Sequence, residues 1–275
     1  MTRTIFERMI HPTAIVHPKA KLDGTIRVGP YAIIDEGVEL GAHCEVGPHA
    51  YLTGLLSAGS HNQFHAGCVI GDAPQDLKYR NEPTRLRIGD HNVFRENATV
   101  HRSTKPDSET VIGSNCFLMV NSHVGHNCVV GDEVIIANGA LLAGHVTVGD
   151  KAFISGNCLM HQYVRVGTLS LMQGGAAISQ DLPPYIIAAH EGNAMCGLNT
   201  IGLRRAGFTP EQRLELKKVY RLLFRSGHNL REAVALARKE FNGEPAKVLI
   251  DFVATTKRGI CADVGQASDG GEDGE

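Results

Sequence analysis

Apolar residues recur in this chain at every sixth position, and no other feature restricts its fold as tightly. The steps run Ile10, Val16, Leu22, Val28, Ile34, Leu40, Val46, Leu52, Ala58, Phe64 and Ile70, and resume with Ile88, Phe94 and Val100. They resume again at Ile112 and continue through Leu118, Val124, Val130, Ile136, Leu142, Val148, Ile154, Met160, Val166 and Met172 to Ile178. A period of six matches neither the 3.6-residue turn of an α-helix nor the strict alternation of a half-buried strand. It matches a short strand plus a turn, repeated. Three such units close a triangular coil of eighteen residues, and coils stack through backbone hydrogen bonds at roughly 4.8 Å. Four residues beyond many of these positions stands a small or β-branched residue, such as Ala14, Ala32, Ala50, Ala98, Ala140, Val146 or Ala176. The chain has no tryptophan, which suits a core of aliphatic layers.

This pattern resembles the hexapeptide repeat of many acyltransferases. The resemblance implies a mainly β fold, a left-handed parallel β-helix; the spacing itself carries no handedness. Five of the seven cysteines, Cys44, Cys68, Cys116, Cys128 and Cys158, fall on the small interior position. Buried thiols there act as small hydrophobes, and no C-x-x-C spacing points to zinc or to a redox pair. Reduced thiols fit a cytoplasmic location. No apolar run has the length of a membrane span or of a signal-peptide core. The formal net charge of −2 gives no general basic field for nucleic acid.

Two segments break the repeat and return in phase, residues 71–87 and 101–111, which marks them as loops projecting from a coil domain over 10–187. Loops on a rigid scaffold commonly carry function. "SQDLPPY" ends the repeat, because Pro183 and Pro184 cannot donate to a ladder. Thr209, Pro210 and Gln212 then form a helix-start signature. It opens a helical domain over 196–258 with three helices, the first carrying an apolar face of Leu214, Val219, Leu222 and Leu223. Such a domain would cap the open end of the solenoid. The acidic tail over 262–275 has the composition of a disordered segment.

Coil arithmetic also acts on the histidines. Residues eighteen apart sit one above another, so His126, Gly144 and Gln162 form a column at one corner, flanked by His145 and His161, with His123 close by. A bare glycine lets a substrate carbonyl approach the main chain. Hexapeptide turns accept any polar residue, and His17, His43, His49, His61, His65 and His91 read as surface decoration. Three histidines are also a zinc set on some proteins of this fold, though the two-residue gap between His123 and His126 is narrower than those sites use. Acyl transfer needs a base for an alcohol and a donor for the tetrahedral oxyanion, and His126 beside the Gly144 amide offers both.

Beyond the repeat, the chain resembles the UDP-N-acetylglucosamine 3-O-acyltransferase family of lipid A biosynthesis over residues 10–258. The matching stretches are "QDLKY" at 75–79, "EPTR" at 82–85, "HR" at 101–102, "H-x-x-H" at 123–126, "LAGHV" at 142–146, "HQ" at 161–162, "QDLPPY" at 180–185 and "GLRRAGF" at 202–208. The resemblance implies transfer of a 3-hydroxyacyl chain from acyl carrier protein to the sugar 3-hydroxyl, without metal or organic cofactor. It implies His126 as general base and the Gly144 N–H as oxyanion donor. It implies Gln75, Asp76, His101, His123, His145, His161 and Gln162 as sugar and acyl contacts. Gly174 would bound the acyl chain, and Asn199 and Arg205 would contact the UDP of a neighbouring subunit or the acyl donor, in a homotrimer with sites between subunits. Lys78, Arg80, Arg85 and Arg87, with Arg204, Arg205, Lys217, Lys218, Arg221 and Arg225, form basic clusters suited to an acidic carrier protein, the later lysines reading equally well as a solvated helix face.

Three positions depart from the family pattern: Asn127 replaces an Asp beside the base, Ile201 a Glu and Ala206 an Arg. Asn127 can orient an imidazole but cannot stabilise its cation by charge. A second reading keeps the fold and acylates an amine on a UDP amino sugar. With the repeat beginning at Ile10, the separate N-terminal uridine-binding domain of the pathway's later N-acyltransferase is not expected. A scaffold reading predicts uniform faces, which the two loops contradict.

Overall fold

The computed structural model describes residues 9–265. Strands of mostly two residues stack into three sheets of twelve, nine and eight strands, the faces of a triangular prism. Each coil advances eighteen residues: Met9 pairs with Arg27 on the first face, Ile15 with Ile33 on the second and Lys21 with Glu39 on the third. The period-six residue points inward and its predecessor outward, so rungs such as Arg27–Val28 and Glu39–Leu40 read exposed then buried. Val28, Val46, Phe64, Phe94, Leu118, Ile136, Ile154 and Met172 thus line up as one buried row. Cys44, Cys68, Cys116, Cys128 and Cys158 are buried free thiols.

Both insertions leave at the corner between the second and third faces. Pairing across them lengthens the coil, joining Gln63 to Val93 and Val93 to Phe117. The irregular parts, 73–84 and 102–108, are shorter than the sequence breaks. Val69–Asp72, Arg85–Ile88, Thr99–His101 and Glu109–Ile112 are strands. Their extra residues pair with neighbouring rungs, as Arg85 does with Leu55 and Glu109, because buried backbone groups need partners.

Stacking outlasts the prolines on one face. Pro183 and Pro184 lie in the turn before Ile186–Ala188, which still pairs parallel with Leu171–Met172. Ala194–Leu198 then closes that face antiparallel to it. Four helices follow: α1 (Thr200–Arg205), α2 (Pro210–Arg225), α3 (Leu230–Glu240) and α4 (Glu244–Ala254). The six-residue α1 carries no apolar period that sequence could show. The Thr209–Gln212 capping box forms as read. The buried face of α2 is Leu216, Val219, Tyr220 and Leu223, with Leu214 exposed. Ala262–Asp263 is a strand on Ala194–Leu198, not tail; the tail from 266 onward lies outside the described residues.

One continuous core runs from the coils into the helices. Asp181, buried in the last coil, pairs with Arg165 at 2.9 Å. Arg165 also donates to the Phe252 carbonyl and the Thr255 hydroxyl and lies 4.2 Å over the Phe252 ring. This cation joins the end of helix α4 to the coil stack, beside the Thr256 hydroxyl donating to Asp181 and the Arg258 guanidinium donating to the Ser179 carbonyl.

Candidate active site

The corner joining the second and third faces carries the predicted column. His123 pairs with Leu141 and Leu141 with Leu159, so His126, Gly144 and Gln162 stand in register three residues on. One residue further, Asn127, His145 and Tyr163 adopt left-handed backbone at φ 59°, 62° and 66°. Asparagine tolerates that conformation better than most residues. The His145 ring stacks on Tyr163 at 4.5 Å between centroids and meets His126 edge-on at 5.2 Å. Tyr163 escaped the sequence reading, although it lies one coil beyond His145.

His126 lies over Gly144 so closely that a Cβ built on Gly144 would come within 2.6 Å of His126 Nε2. Glycine is required here by the neighbouring imidazole. Among the described residues, none accepts a hydrogen bond from the Gly144 N–H. On its other edge, His126 Nδ1 is 2.9 Å from Asn127 Oδ1. That oxygen also accepts from the Thr104 amide at 3.1 Å and the Thr104 hydroxyl at 2.9 Å. An amide N–H only donates, so the atom facing His126 is an acceptor and Nδ1 carries the proton. Nε2, on the Gly144 side, keeps its lone pair. Thr104 belongs to the second insertion, whose length no period constrains, so sequence reasoning missed it.

Burial sets the other imidazoles. His123 accepts or donates at 2.7 Å to the Thr99 hydroxyl and meets His101 edge-on at 4.8 Å. Burial, then the charges of His101 and His126, push its pKa down to about 4. Burial also lowers His101, with nearby Asp72 opposing it, and its Nδ1 has no partner among the described residues. His145 is lowered by burial first, then by His126 and Lys105, with Asp76 acting in the opposite sense. Asp76 of the first insertion and Lys105 of the second therefore both act electrostatically on His145. Lys105 was not anticipated.

The remaining candidates divide. Gln75, His161 and Gln162 are exposed at the same corner. Gly174 lies at the corner of the first and second faces, where its carbonyl accepts from His190 Nδ1 at 2.9 Å. A Cβ there would touch only the Gly156 carbonyl, at 3.7 Å. Asn199 and Arg205 line an open groove of about 1030 Å³ on the first face, with Phe153, Leu171 and Gln173. That face is opposite the histidine corner, so one chain does not bring Asn199 and Arg205 to His126. The Asn199 amide caps α1 through Gly202 N and donates to the Leu169 carbonyl. Of the basic clusters, Arg87 pairs with Glu109 and Arg225 with Asp263, so each already faces a carboxylate. Among the described residues no three His, Cys, Asp or Glu side chains converge as a metal set, and no helix is long and apolar enough to cross a membrane.

The chain is similar to known proteins over most of its length. Residues 181–261 match the second-domain model of UDP N-acetylglucosamine O-acyltransferases, and residues 109–144 match the six-repeat bacterial transferase hexapeptide model. Acyl-(acyl-carrier-protein)–UDP-N-acetylglucosamine O-acyltransferases from Thermodesulfovibrio yellowstonii and Paraburkholderia xenovorans are 43% and 48% identical. The matches cover 92% and 91% of this chain and 98% of each relative. The crystal structure of a UDP-N-acetylglucosamine acyltransferase from Bacteroides fragilis superposes with a TM-score of 0.89 at 39% identity, covering 92% of this chain and 99% of that one. The fold is thus the left-handed β-helix with a helical cap, and the chain belongs to the acyl-(acyl-carrier-protein)–UDP-N-acetylglucosamine O-acyltransferase family.

Proposed function

We propose that the protein transfers a 3-hydroxyacyl group from acyl carrier protein to the 3-hydroxyl of UDP-N-acetylglucosamine, the first step of lipid A biosynthesis, in the cytoplasm. The observation that carries the catalytic part is His126, with Nδ1 on Asn127 Oδ1 and Nε2 held over a bare Gly144 whose N–H has no acceptor among the described residues. His126 Nε2 takes the proton of the sugar 3-hydroxyl as its oxygen attacks the thioester carbonyl. The tetrahedral oxyanion accepts from the Gly144 N–H. The intermediate collapses by breaking the C–S bond, and the proton on His126 passes to the leaving thiolate. A base of this kind is worth typically about 10²–10⁴-fold, and one oxyanion donor roughly 3–4 kcal/mol. His145, carried between Tyr163 and His126, supports sugar contacts with Gln75, Asp76, His101, His123, His161 and Gln162.

The outward residues Leu141, Leu159 and Ala177 make an apolar strip on the second face beside His123. It leads from the histidine corner toward Gly174, which supports the acyl chain lying there and ending at that open glycine. Asn199 and Arg205 reach the nucleotide only from a neighbouring copy, which favours a homotrimer with sites between subunits. Leu77, 98% exposed at the tip of the first insertion, suits the same arrangement. The carrier protein docks on the exposed cations of α2.

The experiment is acyl transfer from 3-hydroxyacyl carrier proteins of several lengths, with His126→Ala alongside. An ester product that is nearly lost in the variant supports the reading. Full turnover without His126 removes the base assignment. Product only with an amino-sugar nucleotide transfers the assignment to N-acylation.

A further inference from the structure

We infer that the second insertion is a positioning device for the base: Thr104 and Ser108 hold the Asn127 amide in one of its two orientations, and that orientation keeps the His126 proton on Nδ1. The inference rests on the reading of His126 as general base, but its central claim concerns the tautomer of a side chain and is measurable without substrate.

A carboxamide is nearly symmetric in shape and opposite in hydrogen-bonding character at its two ends. Turned over, Asn127 would present Nδ2 to His126 Nδ1. The ring would then accept at Nδ1 and carry its proton on Nε2, the edge over Gly144. Such a ring cannot take a proton from an alcohol. Asn127 alone has no means of choosing between these states, whereas a carboxylate in its place would have no choice to make.

The second insertion makes the choice at both ends of the amide. Oδ1 accepts from the Thr104 N–H at 3.1 Å and the Thr104 hydroxyl at 2.9 Å. Nδ2 donates to Ser108 Oγ at 2.9 Å. Ser108 Oγ spends its own proton on the Lys105 carbonyl at 2.9 Å, so it meets Nδ2 as an acceptor. The backbone of Asn127 is fixed as well, its N–H donating to Thr110 Oγ1 at 2.7 Å where the insertion rejoins the coil. Among the described residues, the hydrogen bonds that Thr104 and Ser108 make at this corner go to Asn127 and not to the His126 ring; they act through Asn127 and are positioning residues.

The test uses the full chain with histidine labelled in ¹⁵N, the His126 signals being assigned by their loss in His126→Ala. Four proteins are compared: the parent, Thr104→Val/Ser108→Ala, Asn127→Asp, and the triple variant. In the parent, His126 should show a protonated Nδ1 and an unprotonated Nε2 above the imidazole titration range. In Thr104→Val/Ser108→Ala, where only the Thr104 backbone N–H still holds Oδ1, a measurable fraction of the opposite tautomer should appear. A wrong imidazole tautomer costs up to about 10⁴-fold in a triad hydrolase, and a partly flipped amide should cost about 10–100-fold in kcat with KM nearly unchanged. Thr104→Ser should retain the parent rate. On the Asn127→Asp background the same double change should cost less than about threefold, because a carboxylate has no wrong orientation. Equal losses on both backgrounds would make the insertion a purely structural support, and an unchanged tautomer in the double variant would overturn the inference directly. Full turnover by His126→Ala would instead remove the base reading and leave the tautomer result standing.

Discussion

The His126 ring occupies the space that a side chain at Gly144 would need: a Cβ built there would lie 2.6 Å from Nε2 and 3.0 Å from Nδ1. Gly144 does not need glycine for its backbone, since it is not among the residues of positive φ. Gly144→Ala should therefore leave the coil intact and displace the imidazole. A displacement near 1 Å costs about 10²-fold. Steady-state kinetics should show that loss in kcat, while the thermal midpoint stays close to the parent's; a fully active alanine variant would mean the ring has no fixed place.

His123 makes stability depend on pH. Its pKa in the fold is about 4, against about 6.5 when unfolded. Above pH 6.5 both states are neutral and there is no penalty. As pH falls from 6.5 to 4 the unfolded chain binds a proton that the folded chain refuses, so stability declines across that window and levels off below it. The loss is on the order of 3 kcal/mol at most. His101, also lowered by burial, acts in the same direction. Chemical denaturation at pH 7.5 and 5 should show a smaller difference for His123→Gln than for the parent. An equal difference would assign the acid sensitivity to other groups.

Arg165 ties the helical domain to the coils through buried Asp181 and the end of α4. Truncating it leaves a buried carboxylate without its cation, which costs about 3–5 kcal/mol. Arg165→Met should expose the segment after α4 to limited proteolysis and lower the thermal midpoint. If proteolysis is unchanged, the continuous apolar core and the Thr256 and Arg258 hydrogen bonds hold the cap without it.

Helix α2 presents Arg213, Lys217 and Arg221 four residues apart beside one groove. If an acidic carrier protein docks there, Lys217→Glu/Arg221→Glu should raise KM for acyl carrier protein about tenfold or more at low salt and less at high salt. Transfer from a short acyl thioester lacking the carrier should be unaffected. A rate loss with both donors would instead indicate damage to the site.

Much of the site was legible because the repeat converts sequence distance into height. His126, Gly144 and Gln162 share a column for the same reason that Val124, Leu142 and Met160 share a row: each coil inherits its register from the one below. The helix start at Thr209 was equally local. The period determined the solenoid, its buried row and the corner that bears the histidines, since each depends on interactions six or eighteen residues away. Tertiary structure decided what the period cannot reach. The insertions leave the coil and return with lengths that no repeat constrains, so Thr104 and Ser108 arrive at Asn127 only in the folded chain. Asn199 and Arg205 lie on the face opposite His126 because Ala194–Leu198 turns back antiparallel to Ile186–Ala188 on the first face just before α1 begins. Distances of that kind are set by packing around the core, and residue spacing holds no record of them.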